Sequence, residues 1–355
     1  MTKKYFLGLD QGTTGTTALI LDENWDIVSQ VNCEHKQYYP KPGWVEHDPI
    51  EIWEKTKEAV GRALKEANIS INDIKAMGID NQGETVLVWD KNTGVPVYNA
   101  IVWQDRRTSE MADRLKEEWG NVIKEKTGLV VDSYFSALKI KWILENVENA
   151  KARAEKGELI AGTIDSWLIW KMTNGKLHMT DYSTASRTML LNIHTGKWDQ
   201  DILNKLEIPE KMLATIYSSS MLYGYTDPDC FLGGKIPIAG NIVDQQSALF
   251  GQACFKPGTV KTTYGTGCFM LMNTGHKIVD SPNGLLTTVA WGLNDKMSFA
   301  LDGGVYITGA AIQWLRDGLG IIASAKETEE MAKSVENTGD LYFVPAFTGL
   351  AAPYW

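Results

Sequence analysis

YFLGLDQGTTGTTALILD, residues 5–22, runs an apolar segment into a turn of Gly and Thr and out into a second apolar segment. TVKTTYGTGCFMLMN, residues 259–273, repeats that design far along the chain. Both read as strand-turn-strand hairpins. Their glycines let the backbone turn tightly, and their threonines set hydroxyl donors beside exposed N–H groups, a combination that suits a phosphate chain. A P-loop is excluded, because no GxxxxGK[ST] occurs and a strand follows the turn. One Gly-Thr hairpin alone is an ordinary strand connection. Two of them, the first strand of the first ending in Asp10, point to one nucleotide held between two related halves. A carboxylate at the mouth of such a turn is a natural Mg2+ ligand, since that cation takes oxygen and often arrives with phosphates.

The 355 residues are 44% hydrophobic and 22% charged, which is ordinary globular usage and enough for two domains. A net charge of −9 argues against a nucleic-acid partner or an anionic membrane surface, so the phosphates must be met locally. Cys33, Cys230, Cys254 and Cys268 form no CxxC pair and no zinc spacing, which fits a reducing cytoplasm. No apolar run approaches about 18 residues and no charged-then-apolar leader precedes the first strand. A soluble cytoplasmic protein without membrane insertion is expected.

Further strands are expected at 27–33, 74–80, 85–89 and 100–103. A helix opens with Asp48 as N-cap, Pro49 at its first position and Glu51 three residues after the cap. Its residues Ile52, Trp53, Thr56, Val60, Ala63 and Leu64 fall on one face. Helices are also expected at 107–119, 135–147, 165–172, 244–254 and 306–318, and a strand at 341–346. Leading strands and following helices within each half indicate α/β domains with covered sheets, 1–251 and 252–355, the boundary lying near 251–257. The second half is the shorter and looks cut short.

LDQGTTG, YPKPGWVEHDP, YNAIVWQDRRT, TGLVVDSYFS, DQQSALFGQ, YGTGCFMLMNTG and VPAFTGLAAPYW resemble the glycerol kinase branch of the FGGY carbohydrate kinases, from one end of the chain to the other. The resemblance implies an α/β fold of the actin-like ATPase (ribonuclease H-like) type and ATP-dependent phosphorylation of glycerol or a similar small polyol. It implies a homo-oligomer at full length. It makes Asp244 the catalytic base and Gln245 a polyol contact, with Glu84, Trp103, Tyr134 and Phe269 completing the acceptor site. Thr13, Thr14, Gly265, Thr266 and Gly267 would meet phosphates, Gly309 and Gln313 would lie along the nucleotide, and Asp10 would serve Mg2+. These roles are chemically coherent: a polyol needs carboxylates and amides for its hydroxyls and aromatic walls for its carbon edge. Asp244, opening a helix, is expected to stay ionised at the positive helix terminus and to act as a weak base. Without the resemblance, Trp103 and Phe269 read as core aromatics and Asp244 as an N-cap. Arg106, Arg107 and Arg187 read as surface or ion-pair residues without chemistry.

The chain departs from the family's pattern in three ways. Thr17 and Gly83 stand where the family usually carries Arg. Loss of Arg at Gly83 is expected to open space beside one end of the acceptor, admitting a larger polyol, unless a neighbour fills the gap; restoring Arg there is expected to tighten glycerol. Cys230 lies near the place of a regulatory His, and Lys235 replaces an effector-binding Arg, so both of those controls are expected to be absent. The family's Gly-Gly-x-x-Asn adenosine loop lies beyond Trp355, so the 355 residues are expected to hold the acceptor site and both hairpins without a complete adenine pocket. The alternatives are a kinase of the same family for another polyol or a ketose, and a binding or regulatory homologue.

Overall fold

The computed structural model describes residues 3–265, 267–347 and 349–355. The first hairpin forms as expected: Tyr5–Gln11 pairs antiparallel with Gly15–Asp22, which pairs with Ile27–Glu34. Ile74–Asn81 joins the other edge of Tyr5–Gln11 in parallel, and Pro237–Val243 joins Ile74–Asn81, also in parallel. Ser220–Tyr225 closes a six-stranded mixed sheet. Three parallel strands thus bring Asp10, Asp80 and the Val243-Asp244 junction to one edge. Carboxyl ends of parallel strands are where α/β sheets present ligand sites.

The helix Pro49–Ala67 covers one face of this sheet. Asp48 caps it by accepting from the amides of Ile50 and Glu51 at 2.8 and 3.4 Å, whereas the Glu51 carboxylate takes the Lys36 amide. Ile52, Trp53, Val60 and Ala63 are buried with Leu7, Leu9, Ala18 and Ile20 of the strands beneath. Each large aliphatic side chain so buried is worth about 1.5 to 3 kcal/mol. The opposite face carries Gly8, Gly78 and Gly240, paired side by side, and remains open over a cavity of about 490 Å³.

A smaller four-stranded sheet, Glu46–His47, Ala100–Ile101, Val86–Asp90 and Leu159–Thr163, extends the first half. The buried guanidinium of Arg107 anchors it, meeting Glu46 at 2.7 Å and Asp105 at 2.8 Å. With Arg107 so engaged, the expected helix at 107–119 starts only at Ser109 and runs to Thr127. The second hairpin, Val260–Tyr264 with Cys268–Gly275, joins Lys296–Val305 and Leu286–Leu293 in a four-stranded antiparallel sheet.

Two further expected elements differ. Residues 306–308 leave the strand Lys296–Val305 rather than begin a helix, which runs from Gly309 to Gln313 and widens into a π turn at Trp314–Gly318. Residues 341–346 form no strand: apolar composition alone makes no ladder, and among the described residues they pair with none. Phe343 and Phe347 instead pack on Trp314, with ring centroids 5.9 and 4.9 Å away.

Candidate active site

A cavity of about 200 Å³ lies between the two sheets and is lined by Thr13, Glu84, Trp103, Tyr134, Asp244, Gln245, Gly265, Gly267 and Phe269. All six residues expected at the acceptor meet there, together with three expected at phosphates. Gly83, Arg187 and Asp302 also line it.

The walls are aromatic. Trp103 stands edge-on to Tyr134 at 5.8 Å and to Phe269 at 6.4 Å, so rings from three separate segments enclose the space. Its backbone N–H donates to Thr85 Oγ1 at 3.1 Å and its indole N–H to Thr13 Oγ1 at 2.9 Å. The Tyr134 amide donates to Asp132 at 2.7 Å, fixing the ring's approach. Burial and the nearby Glu84 carboxylate raise the Tyr134 phenol well above its ordinary range, which keeps it a donor.

Asp244 is the first residue of the helix Asp244–Gly251, not its N-cap, and its Oδ1 accepts from the Gln245 amide at 2.7 Å. Burial, followed by the charge of Glu84, pushes its carboxyl up to about 7. This corrects the expectation of a weak, fully ionised base: desolvation outweighs the helix terminus, and the resulting basicity suits proton abstraction near neutral pH. Lys261, buried on the second hairpin, donates to the Gln245 side-chain oxygen and to Thr263 Oγ1. Its own pKa is lowered by burial, against the pull of Asp302 and Asp244.

Gly83 does not open a gap. A Cβ there would meet Val243 Cγ2 at 2.9 Å and Arg187 Cγ at 3.6 Å, so the expected empty space is taken. Arg187, read from sequence as a residue without chemistry, occupies it. Its Nε donates to Glu84 Oε1 at 2.7 Å and its Nη1 lies 3.0 Å from Asp302 Oδ2. Burial disfavours the Arg187 charge, but the two carboxylates more than offset that and hold it cationic.

Asp10 does not line this cavity. It pairs in register with Asp80 on the neighbouring parallel strand, and both face the larger cavity over the open side of the sheet. Burial raises both carboxyls, and for Asp80 the charges of Asp10 and Asp244 add to it. Among the described residues Asp80 Oδ1 is buried without a hydrogen-bond partner. Among the described residues no group of three or more His, Cys, Asp or Glu is placed to hold a metal. The Asp10 and Asp80 pair, with its orphaned oxygen, fits a hard cation that takes its other ligands from water and phosphate. Asp80 had a sequence signal: Gly8-Leu9-Asp10 and Gly78-Ile79-Asp80 are near repeats.

Thr14 is exposed at the first turn and Gly265 at the second. A Cβ at Gly267 would meet the carbonyl oxygens of Val305 and Tyr306 at 2.7 and 3.0 Å, so only glycine fits that turn. Gly309 donates its amide to the Gly265 carbonyl at 3.0 Å, tying its helix to the second hairpin. Gln313 is exposed on that helix, away from the acceptor cavity. Thr266 lies outside the described residues.

Residues 5–251 match the N-terminal domain of the FGGY family of carbohydrate kinases and residues 260–355 match its C-terminal domain. The chain is 60% identical over 353 residues to glycerol kinase 2 of Thermotoga maritima, covering 99% of this chain and 71% of that protein. It is equally similar to a glycerol kinase of Caldanaerobacter subterraneus, with the same coverage of both chains. The crystal structure of Plasmodium falciparum glycerol kinase with ADP superposes with a TM-score of 0.91 at 39% identity, over 99% of this chain and 71% of that one. A ligand-bound xylulose kinase from Lactobacillus acidophilus, 22% identical, superposes with a TM-score of 0.86 over 99% of this chain and 70% of that one, a likeness of fold. The architecture is that of the actin-like ATPases, and the chain belongs to the FGGY family of carbohydrate kinases.

Proposed function

We propose that this chain carries the acceptor site and both phosphate hairpins of a kinase that transfers the γ-phosphoryl group of ATP to a primary hydroxyl of glycerol, giving sn-glycerol 3-phosphate. One observation carries the reading: a cavity of about 200 Å³ in which three aromatic rings, Glu84, Asp244 and Gln245 converge beside the Thr13 and Gly265–Gly267 turns. That volume and lining suit a three-carbon polyol, with ring faces for carbon and carboxylates for hydroxyls. The names of the similar proteins point the same way.

In this reading the first body comprises residues 1–251 and the second 252–355. Glu84, Tyr134 and Gln245 orient the acceptor between Trp103 and Phe269. Asp244 takes the proton of the attacking hydroxyl as the new O–P bond forms and the bond from Pγ to the β-phosphate oxygen breaks, releasing ADP. Thr13, Thr14, Gly265, Thr266 and Gly267 hold phosphates, and Gly309 and Gln313 lie along the nucleotide. Asp10 and Asp80 would hold the Mg2+ that accompanies ATP, whose charge screens the phosphate oxygens. Because the transition state of phosphoryl transfer is loose, alignment and charge stabilisation dominate, and the base acts late.

The test is a coupled ADP-release assay with ATP and Mg2+ across glycerol, erythritol, ribitol and xylulose. Glycerol is expected to give the highest kcat/KM. A longer polyol or a ketose that outperforms it replaces glycerol as the acceptor.

A further inference from the structure

The guanidinium that lines the acceptor cavity belongs to Arg187, at the end of a segment more than a hundred residues from Glu84 in sequence. Position 83, where the family usually carries Arg, is Gly, and the Arg187 stem runs where a side chain from 83 would begin: a Cβ at Gly83 would lie 3.6 Å from Arg187 Cγ and 3.9 Å from its Cβ. Arg187 is only 5% exposed. The plane of its guanidinium rests near Tyr134 and Phe135, 5.7 and 5.5 Å from their ring centroids. Among the described residues one of its five N–H groups, on Nε, makes an aligned bond, to Glu84. Nη1 is in ion-pair range of Asp302, yet among the described residues it is buried without an aligned hydrogen bond. A buried charged donor left in that state is incomplete until something in the cavity accepts from it.

Resting on the acceptor site proposed above, we propose that Arg187 reads an acceptor hydroxyl other than the one phosphorylated, donating to it through Nη1, and so takes over at this site the part of the absent Arg side chain at position 83. The ligand class follows from the chemistry: a small polyol with a free hydroxyl on the carbon chain beyond the reacting carbon. Glu84, already held by Nε, is left with an oxygen to accept from the same or the neighbouring hydroxyl. An acceptor lacking that hydroxyl leaves Nη1 buried with only its misaligned ion pair to Asp302, an incompletely satisfied donor of the kind that disfavours deoxy analogues. The rival role is mechanical, with Arg187 only bridging Glu84 on the first body to Asp302 on the second.

The two roles separate in a cycle of substrate and side chain. Binding of glycerol, 1,2-propanediol and 1,3-propanediol is measured by calorimetry for the chain and for Arg187→Lys and Arg187→Gln. The wild-type chain is expected to bind glycerol at least tenfold more tightly than one of the diols. Both Arg187 variants are expected to cut that preference to about threefold or less, by weakening glycerol while changing that diol little. If the Arg187 variants weaken glycerol and both diols by one common factor, or leave glycerol within twofold, the proposal is wrong. Should neither Arg187 variant fold, the wild-type comparison still decides, since equal binding of glycerol and both diols overturns it. A wild-type chain that binds a different polyol overturns glycerol alone, the cycle then being read with that polyol and its deoxy forms; one that binds no polyol overturns the acceptor site and this inference with it.

Discussion

The indole N–H of Trp103 donates to Oγ1 of Thr13 at 2.9 Å, joining the aromatic wall of the acceptor cavity to the turn of the first hairpin. The bond means that the ring proposed to enclose the polyol and the hydroxyl proposed to meet phosphate are set by one contact. A shift of either displaces the other.

Trp103→Phe keeps an aromatic wall and removes that donor. A neutral hydrogen bond of this kind is worth about 0.5 to 1.5 kcal/mol, so kcat/KM should fall by a factor of about 2 to 13, with both the glycerol and the ATP dependence affected. Steady-state kinetics with each substrate varied in turn will show it. Parameters within twofold of wild type for both substrates mean that the contact couples nothing.

Asp244→Asn preserves the size of the side chain and some of its hydrogen bonding but cannot take a proton. Turnover should be lost while glycerol affinity stays within about tenfold. Retention of more than a tenth of the wild-type kcat removes Asp244 from the role of base.

With its carboxyl pushed up to about 7 by burial and by Glu84, Asp244 must be deprotonated to act, so kcat/KM should decline below neutral pH with an acid limb near that value. Glu84→Gln should move the limb to lower pH. A profile flat down to pH 5 contradicts the assignment.

Stability follows the same titration with a definite sign. A folded-state pKa raised above the ordinary carboxylate value stabilises the fold below that ordinary value, and the contribution is lost as pH rises through about 7. Every tenfold gain in proton affinity on folding corresponds to about 1.4 kcal/mol. Asp244→Asn, neutral throughout, should therefore melt above wild type at pH 8, with the difference shrinking toward pH 5. Thermal melts at the two pH values check this, and a difference that grows toward acid pH reverses the sign.

Gly83→Arg should not tighten glycerol, contrary to what the sequence alone leads one to expect. Any side chain there begins with a Cβ 2.9 Å from Val243 Cγ2 and close to the Arg187 stem, so the variant should lose stability and bind glycerol more weakly than wild type. Even Gly83→Ala should lower the melting temperature. Tighter glycerol binding by Gly83→Arg in calorimetry shows that the neighbours yield.

The sequence by itself determined the two hairpins, the capped helix Pro49–Ala67 and a set of residues that meet in one cavity. Gly-Thr turns, an Asp-Pro helix start and apolar spacing are local signals, and the motif strings carry Glu84, Trp103, Tyr134, Asp244, Gln245 and Phe269 with them. Local signals also misled. The apolar residues 341–346 looked like a strand but form no ladder among the described residues, and the backbone at 306–308 belonged to the exit of a strand. Only the tertiary structure decided the electrostatics of the site. Arg187 meets Glu84 across 103 positions of sequence, Asp10 meets Asp80 through strand register, and the basicity of Asp244 comes from burial beside Glu84. Charge in a low-dielectric interior depends on which groups packing brings within a few ångströms, and no local pattern of residues encodes that.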